Sequence, residues 1–244
     1  MGVFSRDFEF FTHTFSKSLS TGEIVQHVES IESMISKFST RLDDHDDSFT
    51  SRSSSNRRPR TVNETVLLTG STGNLGCYIL ASLLTRPAFN RRSTNKNIME
   101  RQKAQFEDKE LDVALLSSPK LVFLEGDITL PSLGLSGQVI TKLQQDLTVV
   151  IHNAWHSHFS LPLSAFENHI QGTRSLIDLA RSSKRRDEIR FMFTSSITMT
   201  QNWDERQGPY PETLVMDAMS AVGGGYGESK YVAERILAKS GHWT

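Results

Sequence analysis

Tyr226 and Lys230 stand four residues apart in the run Tyr226-Gly227-Glu228-Ser229-Lys230, a spacing that puts a phenol and an ammonium on one face of a helix. A nearby positive charge favours the ionised form of a phenol. Such a tyrosine can give its proton to a carbonyl oxygen while hydride arrives at the carbon, and the lysine can also hold cofactor hydroxyls. The structural alternative is an ordinary half-buried helix with the lysine solvated. A second motif far upstream favours chemistry. Thr69-Gly70-Ser71-Thr72-Gly73-Asn74-Leu75-Gly76 lies where the apolar run Val66-Leu67-Leu68 gives way to an apolar helical pattern reaching Leu84.

At such a strand-to-helix turn the three glycines divide the work. Gly70 permits the tight turn, Gly73 admits a pyrophosphate close to the backbone, and Gly76 lets helix and strand pack closely. The backbone donors of Ser71, Thr72, Asn74 and Leu75, with the aligned helix dipole, then bind an anion without a dedicated lysine. The Gly-Lys-Ser/Thr ending of a nucleotide-hydrolysing loop is absent, so dinucleotide binding is the expectation. Asp127 and Ile128 follow the run Leu121-Val122-Phe123-Leu124, and the Asp127 carboxylate could accept from an adenine amino group; its structural alternative is a loop cap. Asn153 and Ala154 end the run Val149-Val150-Ile151-His152, where a small residue leaves room for cofactor at the carboxyl edge of a parallel sheet. Ser195 and Ser196 follow Phe191-Met192-Phe193-Thr194. Ser196 is preferred for steadying a carbonyl, with Ser195 the alternative. A ribose phosphate needs a cation, and Arg91 and Arg92 are the available pair, favouring NADPH over NADH; a purely solvated role for both arginines stays open.

The elements that must position these groups follow from periodicity. Val66–Leu68, Leu121–Leu124, Val149–His152 and Ile189–Thr194 are expected strands, and Phe166–Ala180 an expected helix. Strands and helices alternate as in a parallel sheet covered on both faces. The expected class is α/β, a Rossmann-like doubly wound parallel sheet. Residues 88–112 break the pattern, because they contain no compact apolar run where a second strand should follow the first helix and read instead as a charged helix. Ile24, Val28, Ile31, Ile35, Phe38 and Leu42 form one helical stripe that needs a partner. Packing within the chain or against a neighbour is favoured over a coiled coil or a membrane surface. Residues 1–40 are thus a helical segment, 41–62 a polar linker rich in Asp, Ser and Arg, and 63–244 a partial NAD(P)-binding reductase domain. Gly223-Gly224-Gly225 is either a turn or a flexible loop ahead of Tyr226.

Composition closes off other classes. With 27 Lys plus Arg against 28 Asp plus Glu, the 244-residue chain lacks the basic field of a nucleic-acid binder. Its single cysteine, Cys77, excludes an intrachain disulfide and fits a reducing, cytoplasmic setting. No segment approaches the about 20 apolar residues needed to span a bilayer. The spacing of His152, His156, His158, Asp127 and Asp146 matches no metal motif, so no metal is expected.

The ordered set TGSTGNLG, GDIT, HNAW, FTSS and GYGESKYVAERIL resembles the extended short-chain dehydrogenase/reductase superfamily. More narrowly, it resembles the terminal thioester-reductase domain of fungal nonribosomal-peptide-synthetase-like enzymes and carboxylate or aminoadipate reductases. The likeness covers roughly 63–237. It implies Gly70, Gly73 and Gly76 at the cofactor phosphates, Asp127 at adenine, Ser196 at the carbonyl, Tyr226 as proton donor and Lys230 at the ribose. It also implies NADPH as cofactor, a phosphopantetheine-bound acyl carrier domain as partner, and reduction of the acyl thioester to an aldehyde, with a second hydride giving an alcohol. Two further readings stay open: a catalytically inactive dinucleotide-binding or interaction remnant, and a sugar or small-ketone reductase.

Three departures qualify the resemblance. The arginine-ending second strand usual in the family is missing. His169 stands where relatives commonly have asparagine, three residues before Gly172. The chain ends at Thr244, whereas such enzymes continue into further strands and a substrate domain, so a truncated, incomplete reductase is expected.

Overall fold

The computed structural model describes residues 19–42, 64–85 and 96–241. Arg91, Arg92 and nearly all of the polar linker lie outside the described residues. In chain order the elements are α1 (Thr21–Ser39), β1 (Val66–Thr69), α2 (Asn74–Thr85), α3 (Lys96–Asp108), α4 (Gly137–Asp146), β2 (Val149–His152), α5 (Glu167–Ser182), β3 (Arg190–Phe193) and α6 (Gly225–Lys239), with short 3-10 turns between them. They form two compact units.

One unit contains residues 64–85, 96–155 and 171–194 of the described chain. Its sheet is parallel in the order β1-β2-β3, with Val66 opposite Val149 and Val149 opposite Arg190. Successive side chains of a strand point to opposite faces. Accordingly Leu68 packs with Cys77, Leu80, Leu84, Phe106 and Phe123, while Leu67 packs with Leu133, Leu143, Val150 and Leu176. Both faces are covered at the central strand: β2 is buried at all four positions and reads as a continuous apolar run for that reason, whereas at β3 Arg190 and Met192 are exposed. The chain has the expected α/β architecture.

Two local expectations need comment. Residues 121–124 form no strand. Leu121 and Phe123 join one core cluster and Leu124 the other, so the apolar run records burial rather than sheet pairing. Four-residue apolar runs cannot distinguish the two. The expected charged helix in 88–112 is α3, and among the described residues no strand lies between α2 and α3.

The other unit contains α1, residues 156–170 and residues 195–241. Ser20 caps α1 with a reciprocal capping box: its hydroxyl accepts from the Glu23 amide, and the Glu23 carboxylate accepts from the Ser20 amide. The apolar stripe then seats on the same chain, burying Ile31, Ile35, Phe38 and Leu42. Contact is made chiefly with α6, and ion pairs from Lys37 to Glu167 and from Glu32 to Arg235 flank the seat. Burying four large apolar side chains contributes about 1.5–3 kcal/mol each, far more than exposed pairs of this kind. The stripe thus finds its seat within the chain.

Candidate active site

The glycine turn is built from backbone outward. Gly70 has φ +70, and a Cβ there would lie 2.8 Å from the Ala154 backbone; only glycine accommodates both the left-handed conformation and the close strand. A Cβ on Gly76 would stand 2.0 Å from the Gly70 carbonyl oxygen, which forces glycine where α2 crosses the turn. Gly73 donates to the Gly70 carbonyl at 3.1 Å. Gly73, Asn74 and Leu75 are exposed, and the first-turn amides of a helix lack intrahelical acceptors. Donors, dipole and space thus suit a phosphate anion, and the residues present fit a dinucleotide.

The adjoining strand end is pinned by a hydrogen-bond chain that sequence reading did not single out. The Thr69 hydroxyl oxygen accepts from the Asn153 amide at 3.1 Å and the Ala154 amide at 3.0 Å. Its one proton must therefore go to His152 Nδ1, 3.0 Å away. That assigns the proton of the neutral ring to Nε2, which donates to the Thr173 hydroxyl at 3.0 Å. Asn153 donates to the Gly70 carbonyl and accepts from Thr194. No sequence signal marks this set, because its members lie far apart along the chain and meet only through strand register.

Gln102 of α3, fully buried, is the second unforeseen residue. It accepts from the Ser71 hydroxyl at 2.9 Å and donates to the Ser71 carbonyl at 3.0 Å. The Cys77 thiol, whose pKa burial raises, donates to that same carbonyl at 3.3 Å. Asp127 caps its own loop, accepting from the amide and hydroxyl of Thr129 at 2.9 and 2.7 Å, which holds its carboxyl below the usual range. Ile128 packs against Gly172.

Tyr226 lies in the first turn of α6, in the other unit. Its ring meets Phe159 edge-on at 4.8 Å and Phe166 at 6.0 Å, centroid to centroid, and Lys230 Nζ sits 5.7 Å from its centroid. Burial drives the Lys230 ammonium down to about 7, against the opposing pull of Glu234. Burial also raises the Glu234 carboxyl, with the Ser195 hydroxyl and Lys230 acting the other way. Ser196 caps the next 3-10 turn: its oxygen accepts from the amide and the hydroxyl of Thr198 at 3.3 and 2.9 Å, leaving its O–H to donate. That turn abuts α6 so closely that a Cβ on Gly227 would lie 2.2 Å from the Thr198 carbonyl oxygen. The Ser195 hydroxyl lies 3.2 Å from the Met199 sulfur and also faces the Glu234 carboxyl. Ser196, Tyr226 and Lys230 are thus gathered in one unit. His169, whose pKa is lowered by burial and by His156 and Lys230, stacks near His156 and Phe166. Among the described residues no cluster suits a metal ion.

A parallel sheet with a glycine turn at its first strand end, in a chain that also carries a Ser-Tyr-Lys set, defines a Rossmann-like nicotinamide-dinucleotide reductase fold. The chain belongs to the NAD-binding family described as male sterility protein, whose model matches residues 68–243. It is 47% identical over 220 residues to adenylate-forming reductase Nps9 of Serpula lacrymans var. lacrymans (strain S7.9), covering 86% of this chain and 20% of the relative. It is 55% identical over 184 residues to adenylate-forming reductase Nps11 of the same fungus, covering 72% and 17%. The chain thus spans about a fifth of the length of these curated relatives. Among solved structures, the terminal R domain from the myxalamid PKS-NRPS biosynthetic pathway superposes with TM-score 0.63 at 28% identity, covering 75% of this chain and 46% of that one. The family resemblance read from the motifs stands.

Proposed function

We propose that this chain carries the reducing chemistry of an NADPH-dependent thioester reductase, converting a carrier-bound acyl thioester to an aldehyde. The supporting observation is that the turn capped by Ser196 abuts the start of α6, the helix that carries Tyr226 and Lys230, in a chain 47% and 55% identical to adenylate-forming reductases. The glycine turn from Gly70 to Gly76 would bind the pyrophosphate. Asp127 and Ile128 would lie at the adenine end, with Arg91 and Arg92 at the ribose phosphate that distinguishes NADPH.

NADPH, held by these residues, would supply the hydride and be oxidised to NADP+. The Ser196 and Tyr226 hydroxyls would hold the substrate carbonyl oxygen and stabilise the oxyanion that forms as the carbonyl carbon accepts hydride. Collapse of that tetrahedral centre breaks the carbon–sulfur bond. The phosphopantetheine thiolate departs and takes up a proton, leaving the aldehyde, and Tyr226 exchanges a proton with the oxygen. Lys230 would anchor the ribose hydroxyls and supply positive charge beside the phenol.

The test supplies NADPH and acyl-pantetheine thioesters and measures aldehyde alongside cofactor oxidation. Tyr226→Phe should lower turnover by about 100-fold or more while NADPH affinity stays within about threefold. Reduction of free ketones or sugars but of no thioester would overturn the substrate class, and turnover untouched by Tyr226→Phe would remove its proton role.

A further inference from the structure

Glu228 lies between the tyrosine and the lysine of the Tyr226–Lys230 motif, and the chemistry above makes no use of it. Its side chain is only 1% exposed, and a buried carboxylate persists only with good partners. It has two. His27 Nδ1, from the middle of α1, stands 2.6 Å from Glu228 Oε1; a carboxylate oxygen only accepts, so Nδ1 carries the proton. The Gly223 amide donates to the same oxygen at 3.2 Å.

The second contact bears on helix geometry. Gly224 is the N-cap of α6 and has no side chain with which to cap it. A glycine N-cap gives up roughly a few tenths of a kcal/mol relative to a capping side chain and leaves the first amides of the helix without a side-chain acceptor. Here Glu228 reaches back from within the first turn and holds the amide of Gly223, the residue just before the cap, so the point at which α6 begins is set by the carboxylate. Tyr226 sits two residues beyond that cap and moves with it. Held by α1 across the buried stripe of Ile31, Ile35 and Phe38, His27 fixes the carboxylate in turn.

We infer that His27 and Glu228 are a positioning pair for Tyr226, through which the helix preceding the linker sets the place of the proton donor. This rests on the reductase reading for its kinetic consequence, but its structural consequence is independent of that reading. In the whole chain, His27→Leu should lower kcat for thioester reduction about tenfold, the scale expected when a reacting group is misplaced by a fraction of an ångström, with NADPH affinity within about twofold of the parent. His27→Asn, whose amide can donate from nearly the same place, should restore most of the rate. Amide hydrogen exchange read on the same proteins supplies the second measurement. Protection of residues 223–226 should fall about tenfold in His27→Leu and in Glu228→Gln, while the second half of α6 and the sheet keep theirs. Unchanged protection at 223–226 in folded His27→Leu overturns the pair whether or not the parent reduces thioesters. A parent that shows no reduction but the expected exchange pattern would count against the reductase reading alone.

Discussion

Burial lowers the Lys230 pKa to about 7, so its positive charge is lost near neutrality rather than at the alkaline values usual for lysine. If that charge supports Tyr226, kcat/KM, which reports the free enzyme, should fall as pH rises through about 7. Glu234 favours the charged lysine, so Glu234→Gln should move the falling limb to lower pH; a limb that stays in place would detach Lys230 from catalysis. At this scale the sequence was partly transparent. The spacing of Tyr226 and Lys230 and the serine pair could be read directly, because each is local. The Thr69-His152-Thr173 chain and the Gln102 clasp were hidden: strand register and helix packing assemble them, and no short pattern announces them. For Asp127 the structure shows the loop-cap geometry that had been its alternative role.

Elements were legible where periodicity met burial. The stripe from Ile24 to Phe38 belongs to α1 with Leu42 in the turn that follows, the Val149–His152 run is β2 to the residue, and Ile189–Thr194 contains β3. The run at Leu121–Leu124 misled because Leu121, Phe123 and Leu124 join core clusters although the segment forms no strand, and the glycine turn is steadied from an unexpected direction, by α3. Gln102→Leu conserves volume but removes both bonds to Ser71; NADPH affinity should weaken about tenfold at nearly constant kcat, measured by titration on a sample with native circular dichroism. Equal affinity would mean that the clasp holds only the core. Gly76→Ala is harsher. Its methyl would meet the Gly70 carbonyl oxygen at 2.0 Å, so a loss of about 1–3 kcal/mol in stability is expected together with cofactor binding, read from denaturant midpoints and titration. An alanine variant of parental stability would contradict the packing described for the turn.

At the scale of the molecule, the chain divides its labour: the unit built on the sheet carries the glycine turn, and the unit built on α6 carries Ser196, Tyr226 and Lys230. The NAD-binding family to which the chain belongs supplies the reason to expect a dinucleotide at the glycine turn. Direct titration of the folded chain with NADPH and with NADH, beside a Gly73→Asp variant that puts a carboxylate where the phosphates would lie, is the most direct measurement. Saturable binding of one dinucleotide per chain, tighter for NADPH and abolished by Gly73→Asp, is the predicted result. A folded chain that stays empty with both cofactors at millimolar concentration, or a variant that binds as well as the parent, would contradict it.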